Sequence, residues 1–308
     1  MKSVINTFNL WIPSPLQNIV VKNDHKIFVK RDDLIHSVIS GNKYRKLKFI
    51  LADFLGSNKK SIIAFGGAYS NLLHALSLIV RQMHINATFF IRGDGYDDKN
   101  PTLRFIRGNK VEMIFMSRQD FKMIRDRSFL NQLALLNPDA YIIPEGASNK
   151  LATYGSSEIY KEIVQQLGYF PDYIVMDMGT GGTFAGVMMQ IADKTKLVGI
   201  PVVKGVNWNN TLSKIIESEI PDKDFQIIED YHFGGFAKYN SELIEFINSF
   251  KLEYGIELDP LYTGKLVYGF HDLIKKDYFR KGSTIVWIHG GGNQGIQGFN
   301  LVNNDILI

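Results

Sequence analysis

Short apolar runs alternate along this chain with longer stretches in which apolar side chains recur every three or four positions. The runs at residues 61–65, 87–91, 111–115, 140–144, 173–176, 197–203, 225–228 and 284–288 have strand length and are bounded by turn-forming residues. Helical spacing appears at Tyr44, Leu47, Ile50, Leu51 and Phe54, and again at Leu72, Leu73, Leu76, Ile79 and Val80. Further helices are expected over about 118–136, 151–167, 241–250 and 261–274, with another after Gly186. Near the start, residues 19–21 and 26–30 flank Asn23-Asp24-His25 and predict a hairpin. The helix after Lys43 is expected to stop at Leu55-Gly56-Ser57, with glycine supplying the stop. Strands alternating with helices imply parallel sheets covered by helices. With 308 residues, no fixed-period repeat and no low-complexity tract, the pattern reads as two α/β units without a disordered linker.

Composition narrows the partners. The chain is 45% hydrophobic and 21% charged, ordinary for a soluble globular protein. Its net charge of +4 comes from 35 basic and 31 acidic residues spread along the chain, which argues against a nucleic-acid partner. Cysteine is absent, so disulfides, thiolate metal sites and cysteine nucleophiles are excluded together, and the chain suits a cytoplasmic enzyme. Residues 1–15 lack the apolar core of a signal peptide, and no run reaches the roughly 18 apolar residues of a membrane span. No metal site is expected.

Three stretches carry the candidate chemistry. In Ser40-Gly41-Asn42-Lys43, three helix-start residues precede a lysine that stands in or next to a first helical turn. The helix dipole is positive there. It disfavours an ammonium by roughly 0.3–1 kcal/mol and favours the neutral amine, the form that condenses with an aldehyde. The plainer reading is that Lys43, Arg45, Lys46 and Lys48 form a solvated charged face. The second stretch, Gly179, Thr180, Gly181, Gly182 and Thr183, lies between a strand and a helix, where backbone N–H groups and hydroxyls can hold a phosphate; its alternative is a simple tight turn. Phe184 at the sixth position and the absence of an acid on the next strand disfavour a dinucleotide, and no P-loop lysine is present, so one phosphate on a small cofactor fits better. The third stretch, residues 66–71, is another strand–turn–helix site that can bind a carboxylate. Ser70 there reads first as a helix cap and second as a catalyst.

A lysine at a helix start, a phosphate loop and a carboxylate loop together meet the needs of pyridoxal 5'-phosphate chemistry. Five motifs also resemble, in order, the 1-aminocyclopropane-1-carboxylate deaminase/D-cysteine desulfhydrase family. They are Ser-Gly-Asn-Lys-Tyr-Arg-Lys-Leu (40–47), Phe-Gly-Gly-Ala-Tyr-Ser-Asn (65–71), Gly-Thr-Gly-Gly-Thr (179–183), Asp-Pro-Leu-Tyr-Thr-Gly-Lys (259–265) and His-Gly-Gly-Gly (289–292). The resemblance implies the tryptophan-synthase-β-like fold, fold type II. It implies a small α/β domain, 47–150, set into a larger cofactor-binding domain made of 1–46 and 151–308. Lys43 then matches the Schiff-base lysine, and Asn71 the partner of the cofactor's phenolic oxygen. Ser70 matches a serine that contacts the substrate carboxylate and relays protons, and Tyr262 the tyrosine near the substrate. A small amino-acid substrate and a homodimer follow from the same likeness.

The implied reaction is α,β-elimination: Lys43 removes the α-proton, a β-substituent such as thiolate leaves, and a 2-oxo acid and ammonia result. Ring opening of a cyclopropane amino acid is the alternative. The deaminases resemble Tyr-Glu-Gly where this chain has Tyr262-Thr263-Gly264, which favours a D-cysteine-like substrate. The chain departs from the family pattern at Leu72 (usually histidine), Phe236 (commonly tyrosine) and Gly290 (usually a threonine on the pyridine nitrogen). These departures keep open a cofactor-binding protein with little catalysis; a nucleotide-binding protein is more distant. His74 reads as a packing residue, Lys265 as a surface charge, and Glu145 as a residue able to face the cleft.

Overall fold

The computed structural model describes residues 8–20, 24–304 and 306–308. Residues 1–7 and, from the expected hairpin, Val21 and Asn23 lie outside the described residues. The hairpin pairs β1 (Leu16–Ile19) with β2 (Lys26–Arg31) in antiparallel register, Leu16 opposite Lys30 and Ile19 opposite Ile27. Its first strand therefore begins three residues earlier than the apolar run suggests. After helix α1 (Gly41–Gly56) come β3 (Ser61–Gly67), α2 (Asn71–Gln82), β4 (Asn86–Arg92), α3 (Pro101–Gly108), β5 (Glu112–Met116), α4 (Arg127–Leu136) and β6 (Ala140–Ile143). The chain continues through α5 (Lys150–Leu167), β7 (Tyr173–Met178), α6 (Gly182–Gln190), β8 (Lys196–Pro201), α7 (Trp208–Ile216) and β9 (Phe225–Ile227). It closes with α8 (Ser241–Tyr254), α9 (Thr263–Lys275), β10 (Thr284–His289) and α10 (Gln294–Asn303).

Two sheets result. One has the order β1-β2-β10-β7-β8-β9 and the other β5-β4-β3-β6. Every pairing beyond the β1–β2 edge is parallel. Central strands are apolar on both faces, because helices cover both: all six residues of β10 are buried. The smaller sheet packs Ile62, Ala64, Phe89 and Ile91 against α2 and against Leu47, Ile50, Leu51 and Phe54 of α1. Ile35, Ile39 and Tyr44 join the same core, so α1 is shared between the two units.

Several expectations need correction. Helix α3 was not legible as apolar periodicity; Asn100 caps it, its side-chain oxygen accepting from the Thr102 and Leu103 N–H groups at 2.9 and 3.1 Å, with Pro101 in the first turn. Helices α7 and α10 were likewise unanticipated. The helix expected over 118–136 is broken: a 3-10 turn (Asp120–Arg125) precedes Asp126, which caps α4. Gly56 stays inside α1, and the stop comes at Ser57, whose N–H and hydroxyl both return to the Phe54 carbonyl.

The plainer alternative for residues 43–48, a solvated charged face, does not hold for Arg45 and Lys46, which are buried. Arg45 is fully buried and makes bidentate contacts to Asp32 (2.8 and 3.1 Å) and to Glu162 (2.5 and 2.8 Å). Lys30 joins Glu162 at 2.7 Å and also donates to the Ser14 carbonyl and the Gln166 side chain. Lys265 is not a surface charge either. It is buried, and its ammonium donates to the carbonyls of His232 (3.0 Å) and Gly235 (2.8 Å).

Candidate active site

Parallel strands end on one edge, and ligands of open α/β sheets bind beyond those carboxyl ends. Here β7 runs out into Gly179, β10 into residues 290–292, and β3 into the turn before α2. Helix α1 docks on this edge through glycine. Gly41 has φ +64°, and a Cβ there would lie 1.9 Å from the Gly290 carbonyl oxygen, so no side chain fits. The Asn42 N–H donates to that carbonyl at 3.0 Å.

This docking sets Lys43 beside the strand ends, half-buried, with its amine bonded to the Asn42 side-chain oxygen. Burial lowers the Lys43 pKa to about 8, and the carboxylates of Asp177 and Asp259 only partly offset it. Between burial and the charged neighbours, desolvation thus has the larger effect on its readiness to be neutral. Asp177, next to last on β7, is pushed up to about 6 by burial and by Asp259, against the pull of Lys43, its own backbone N–H and His289.

Asp259 is committed elsewhere. Its carboxylate accepts from the N–H groups of Leu261 (2.9 Å), Tyr262 (2.8 Å) and Thr263 (3.0 Å) and from the Thr263 hydroxyl (2.7 Å). It satisfies the free donors at the start of α9. Tyr262 stands just before that helix with its ring over Gly179, where a Cβ would come within 2.9 Å of the ring edge. Phe236 meets the same ring edge-on at 5.7 Å. Burial, then Asp259, Asp177 and Glu145, raise the Tyr262 pKa, with Arg92 opposing, so the phenol keeps its proton. Glu145 therefore lies within electrostatic reach of the cleft.

The loop Gly179-Thr180-Gly181 leads straight into α6, with Gly181 at φ +85° and Thr183 buried in the first turn. The Thr180 and Ser148 hydroxyl oxygens are 2.6 Å apart. Lys46, read from sequence as a solvated charge, reaches this loop. It is 2% exposed, and its ammonium donates to the Gly146 carbonyl (3.0 Å) and the Ser148 hydroxyl (3.3 Å). A Cβ on Gly182 would be 3.0 Å from that nitrogen. Burial and Lys43 hold the Lys46 pKa well below the usual range. The available signal was spacing: Lys46 is three residues after Lys43 and shares its helix face.

Asn71 opens α2. Its side-chain oxygen accepts from Gln294 at 2.5 Å, and its side-chain nitrogen is 3.2 Å from where a Gly292 Cβ would be. Ser70 caps α2, its hydroxyl accepting from the Leu73 N–H at 3.3 Å. Asn42, Asp177, Asn71 and Asp259 thus border residues 290–292, and Tyr262 borders Gly179, whereas the hydrogen bonding of Ser70 is local. Gly290 has no side chain; a Cβ there would be 3.4 Å from the Asn42 side-chain nitrogen and 3.5 Å from Asp177 Oδ1. Leu72 is buried in the core, and His74 stacks on Phe105 at 4.2 Å, its pKa lowered by burial to about 4, as suits a packing residue.

The donor set suits pyridoxal phosphate. A lysine inclined to be neutral stands at the start of α1, the helix that docks on the strand ends through Gly41. One helix start, with Thr180, Thr183, Ser148 and Lys46 around it, suits one phosphate. Among the described residues, no helix is long and apolar enough to cross a membrane. The family model for pyridoxal-phosphate dependent enzymes matches residues 9–291. A relative from Arabidopsis thaliana, named a bifunctional D-cysteine desulfhydrase/1-aminocyclopropane-1-carboxylate deaminase of mitochondria, is 30% identical over 94% of this chain and 79% of its own. A D-cysteine desulfhydrase from Klebsiella pneumoniae is 28% identical over 91% and 92%. A solved structure described as an ACC deaminase homologue superposes with a TM-score of 0.82 at 25% identity, covering all of both chains. Motifs, sheet order and these likenesses agree: the chain belongs to the pyridoxal-phosphate dependent enzymes of fold type II, in the 1-aminocyclopropane-1-carboxylate deaminase/D-cysteine desulfhydrase family.

Proposed function

We propose that the protein is a pyridoxal phosphate-dependent lyase that cleaves the carbon–sulfur bond of a D-cysteine-like amino acid. Cysteine and water give pyruvate, ammonia and hydrogen sulfide. The observation that carries this choice over ring opening is Thr263. It is buried with its hydroxyl held by Asp259, so the residue after Tyr262 brings no acid to the cofactor. When bound, pyridoxal phosphate supplies an aldehyde for the substrate amine and a ring that accepts the electrons left by the departing α-proton.

The chain's own residues do the rest. Lys43 is the attachment point and then the base, because burial leaves a useful share of its amine neutral. Backbone N–H groups of Gly181 to Thr183, the hydroxyls of Thr180 and Thr183, and Lys46 hold the phosphate, with Ser148 orienting Lys46 and Thr180. Asn71, steadied by Gln294, holds the phenolic oxygen. The start of α2 and Ser70 take the substrate carboxylate. The Tyr262 phenol, kept protonated, donates toward the leaving sulfur.

We place the domain boundaries at 46/47, inside α1, and at 150/151, and read the working molecule as a cytoplasmic homodimer. The cysteine-free composition and the family likeness support the location and the dimer, and sedimentation tests the dimer.

The deciding experiment offers purified protein, saturated with cofactor, D-cysteine, L-cysteine and 1-aminocyclopropane-1-carboxylate. Sulfide and pyruvate from D-cysteine are expected. 2-Oxobutanoate from the cyclopropane substrate would move the assignment to the deaminase, an activity in the Arabidopsis relative's name. A yellow but inert protein would reduce it to cofactor binding.

A further inference from the structure

Among the described residues, one half-buried carboxylate at the site, Asp177, has no role in the proposed function. Asp177 and Asp259 are the two acids that act on Lys43. Asp259 has four donors on its oxygens, all from its own helix start. Asp177 has Lys43, Asp259 and the His289 ring within electrostatic reach instead, besides its own backbone N–H. It stands two residues before Gly179, on the strand that feeds the phosphate loop, and faces Gly290 on the neighbouring strand's end. His289, the last residue of β10, is held as a packing group: one ring nitrogen meets the Glu257 carbonyl at 2.7 Å and the other accepts from the Gly291 N–H at 3.3 Å.

Pyridoxal phosphate carries its ring nitrogen para to the aldehyde carbon. With that carbon on Lys43, the nitrogen would need a partner on the far side of the ring, and Asp177 and Gly290 stand together at the ends of β7 and β10. Gly290 offers no side chain there, and the Thr263 hydroxyl is bonded to Asp259. We propose that the Asp177 carboxylate is the partner of the cofactor's ring nitrogen. This rests on Lys43 carrying the cofactor.

The chemical consequence is specific. A hydroxyl partner leaves a pyridine neutral, whereas an adjacent carboxylate stabilises the protonated ring. A protonated ring draws electrons more strongly and so favours loss of the α-proton. Burial and Asp259 push the Asp177 pKa up to about 6, so a cationic ring is the partner that would restore its charge.

The test reads the nitrogen directly. Apoprotein is reconstituted with pyridoxal phosphate labelled with nitrogen-15 in the ring, and its resonance is followed near neutral pH in the wild type and in Asp177→Asn. Protonated nitrogen in the wild type and neutral nitrogen in the variant are expected. A neutral nitrogen in the wild type, or a protonated one that persists in Asp177→Asn, overturns the proposal. A variant-free measurement stands beside it. Wild-type protein should bind pyridoxal phosphate at least about tenfold more tightly than the analogue with carbon in place of the ring nitrogen, the effect of one charge-assisted hydrogen bond. Equal affinities overturn the proposal as well. Borohydride reduction and peptide mapping keep the two readings apart. Label on a residue other than Lys43 defeats the functional assignment, whereas label on Lys43 with a neutral nitrogen defeats only the role of Asp177.

Discussion

Helix α1 carries two buried charge clusters that are built in opposite ways. Around Arg45 every charge has hydrogen-bonded partners: two carboxylates, Lys30, a serine and a glutamine bond to one another, although burial still lowers the Lys30 pKa. Burial works against the guanidinium, yet Asp32 and Glu162 raise its pKa; Glu162 in turn is held below the usual carboxylate range by Arg45 and Lys30 in spite of burial. Around Lys43 the charges lack matched partners: Lys43 and Lys46 are both lowered, and Asp177 is raised. A saturated cluster holds α1 in place. An unsaturated one has affinity left for a ligand.

The sharpest way to break this contrast is to remove Lys43. Lys43→Ala should cut turnover by about 10⁴-fold or more, since it deletes both the tether and the base. Its effect on apoprotein stability should stay within about 1 kcal/mol, because the lost ammonium was poorly paired. A large fall in melting temperature would place Lys43 with the structural cluster instead. The same mismatch predicts how the apoprotein takes up cofactor. The neutral amine is the nucleophile, and its pKa is lowered from 10.5 to about 8. The rate of cofactor capture, followed by stopped-flow absorbance, should therefore climb about tenfold per pH unit below 8 and level off above it. A plateau reached only near the ordinary lysine pKa would remove the contrast.

Arg45→Met should show the reverse pattern. Breaking a buried pair leaves Asp32 and Glu162 uncompensated and should cost about 3–5 kcal/mol in denaturant unfolding. Turnover per folded molecule should hardly change. If kcat falls while stability holds, Arg45 belongs to the active cluster.

Lys46→Met tests the boundary between the two. Loss of one charge-assisted contact to the phosphate should raise the cofactor Kd about 10–100-fold, read by dialysis and absorbance, with little change in kcat at saturating cofactor. Unchanged affinity would mean that Lys46 only braces Gly146 and Ser148.

What the sequence disclosed follows from the range of the interactions involved. Glycine turns after apolar runs announced the loops at 66–71 and 179–183, because strand, turn and helix start are neighbours in the chain. The Arg45 cluster escaped notice, since Glu162 lies 117 residues away and nothing local distinguishes a buried arginine from a solvated one. Lys265 reads as a surface charge for the same reason; its acceptors are carbonyls about 30 residues earlier. Helix α3 was missed because capping, not periodicity, marks it: Asn100-Pro101 was the legible signal. Asp177 lies just past the apolar run at 173–176 and carries no local signal; the pairing of β10 with β7 is what sets Gly290 against it.

The smallest effect concerns Ser70, which caps α2 and is proposed to touch substrate. The two roles respond differently to substitution. Ser70→Ala loses the acceptor for the Leu73 N–H and should cost about 1 kcal/mol, whereas Ser70→Gly should cost only a few tenths, because glycine is tolerated at a helix start. If capping is all that Ser70 does, both folded variants turn over at the wild-type rate and differ only in melting temperature. If the hydroxyl also handles the substrate carboxylate or its proton, both lose kcat/KM, by about tenfold or more, although only alanine loses the cap. Ser70→Thr, which keeps a hydroxyl and an acceptable cap, should then recover activity. The glycine variant is the decisive one: full activity there would return Ser70 to the saturated, structural side of the comparison.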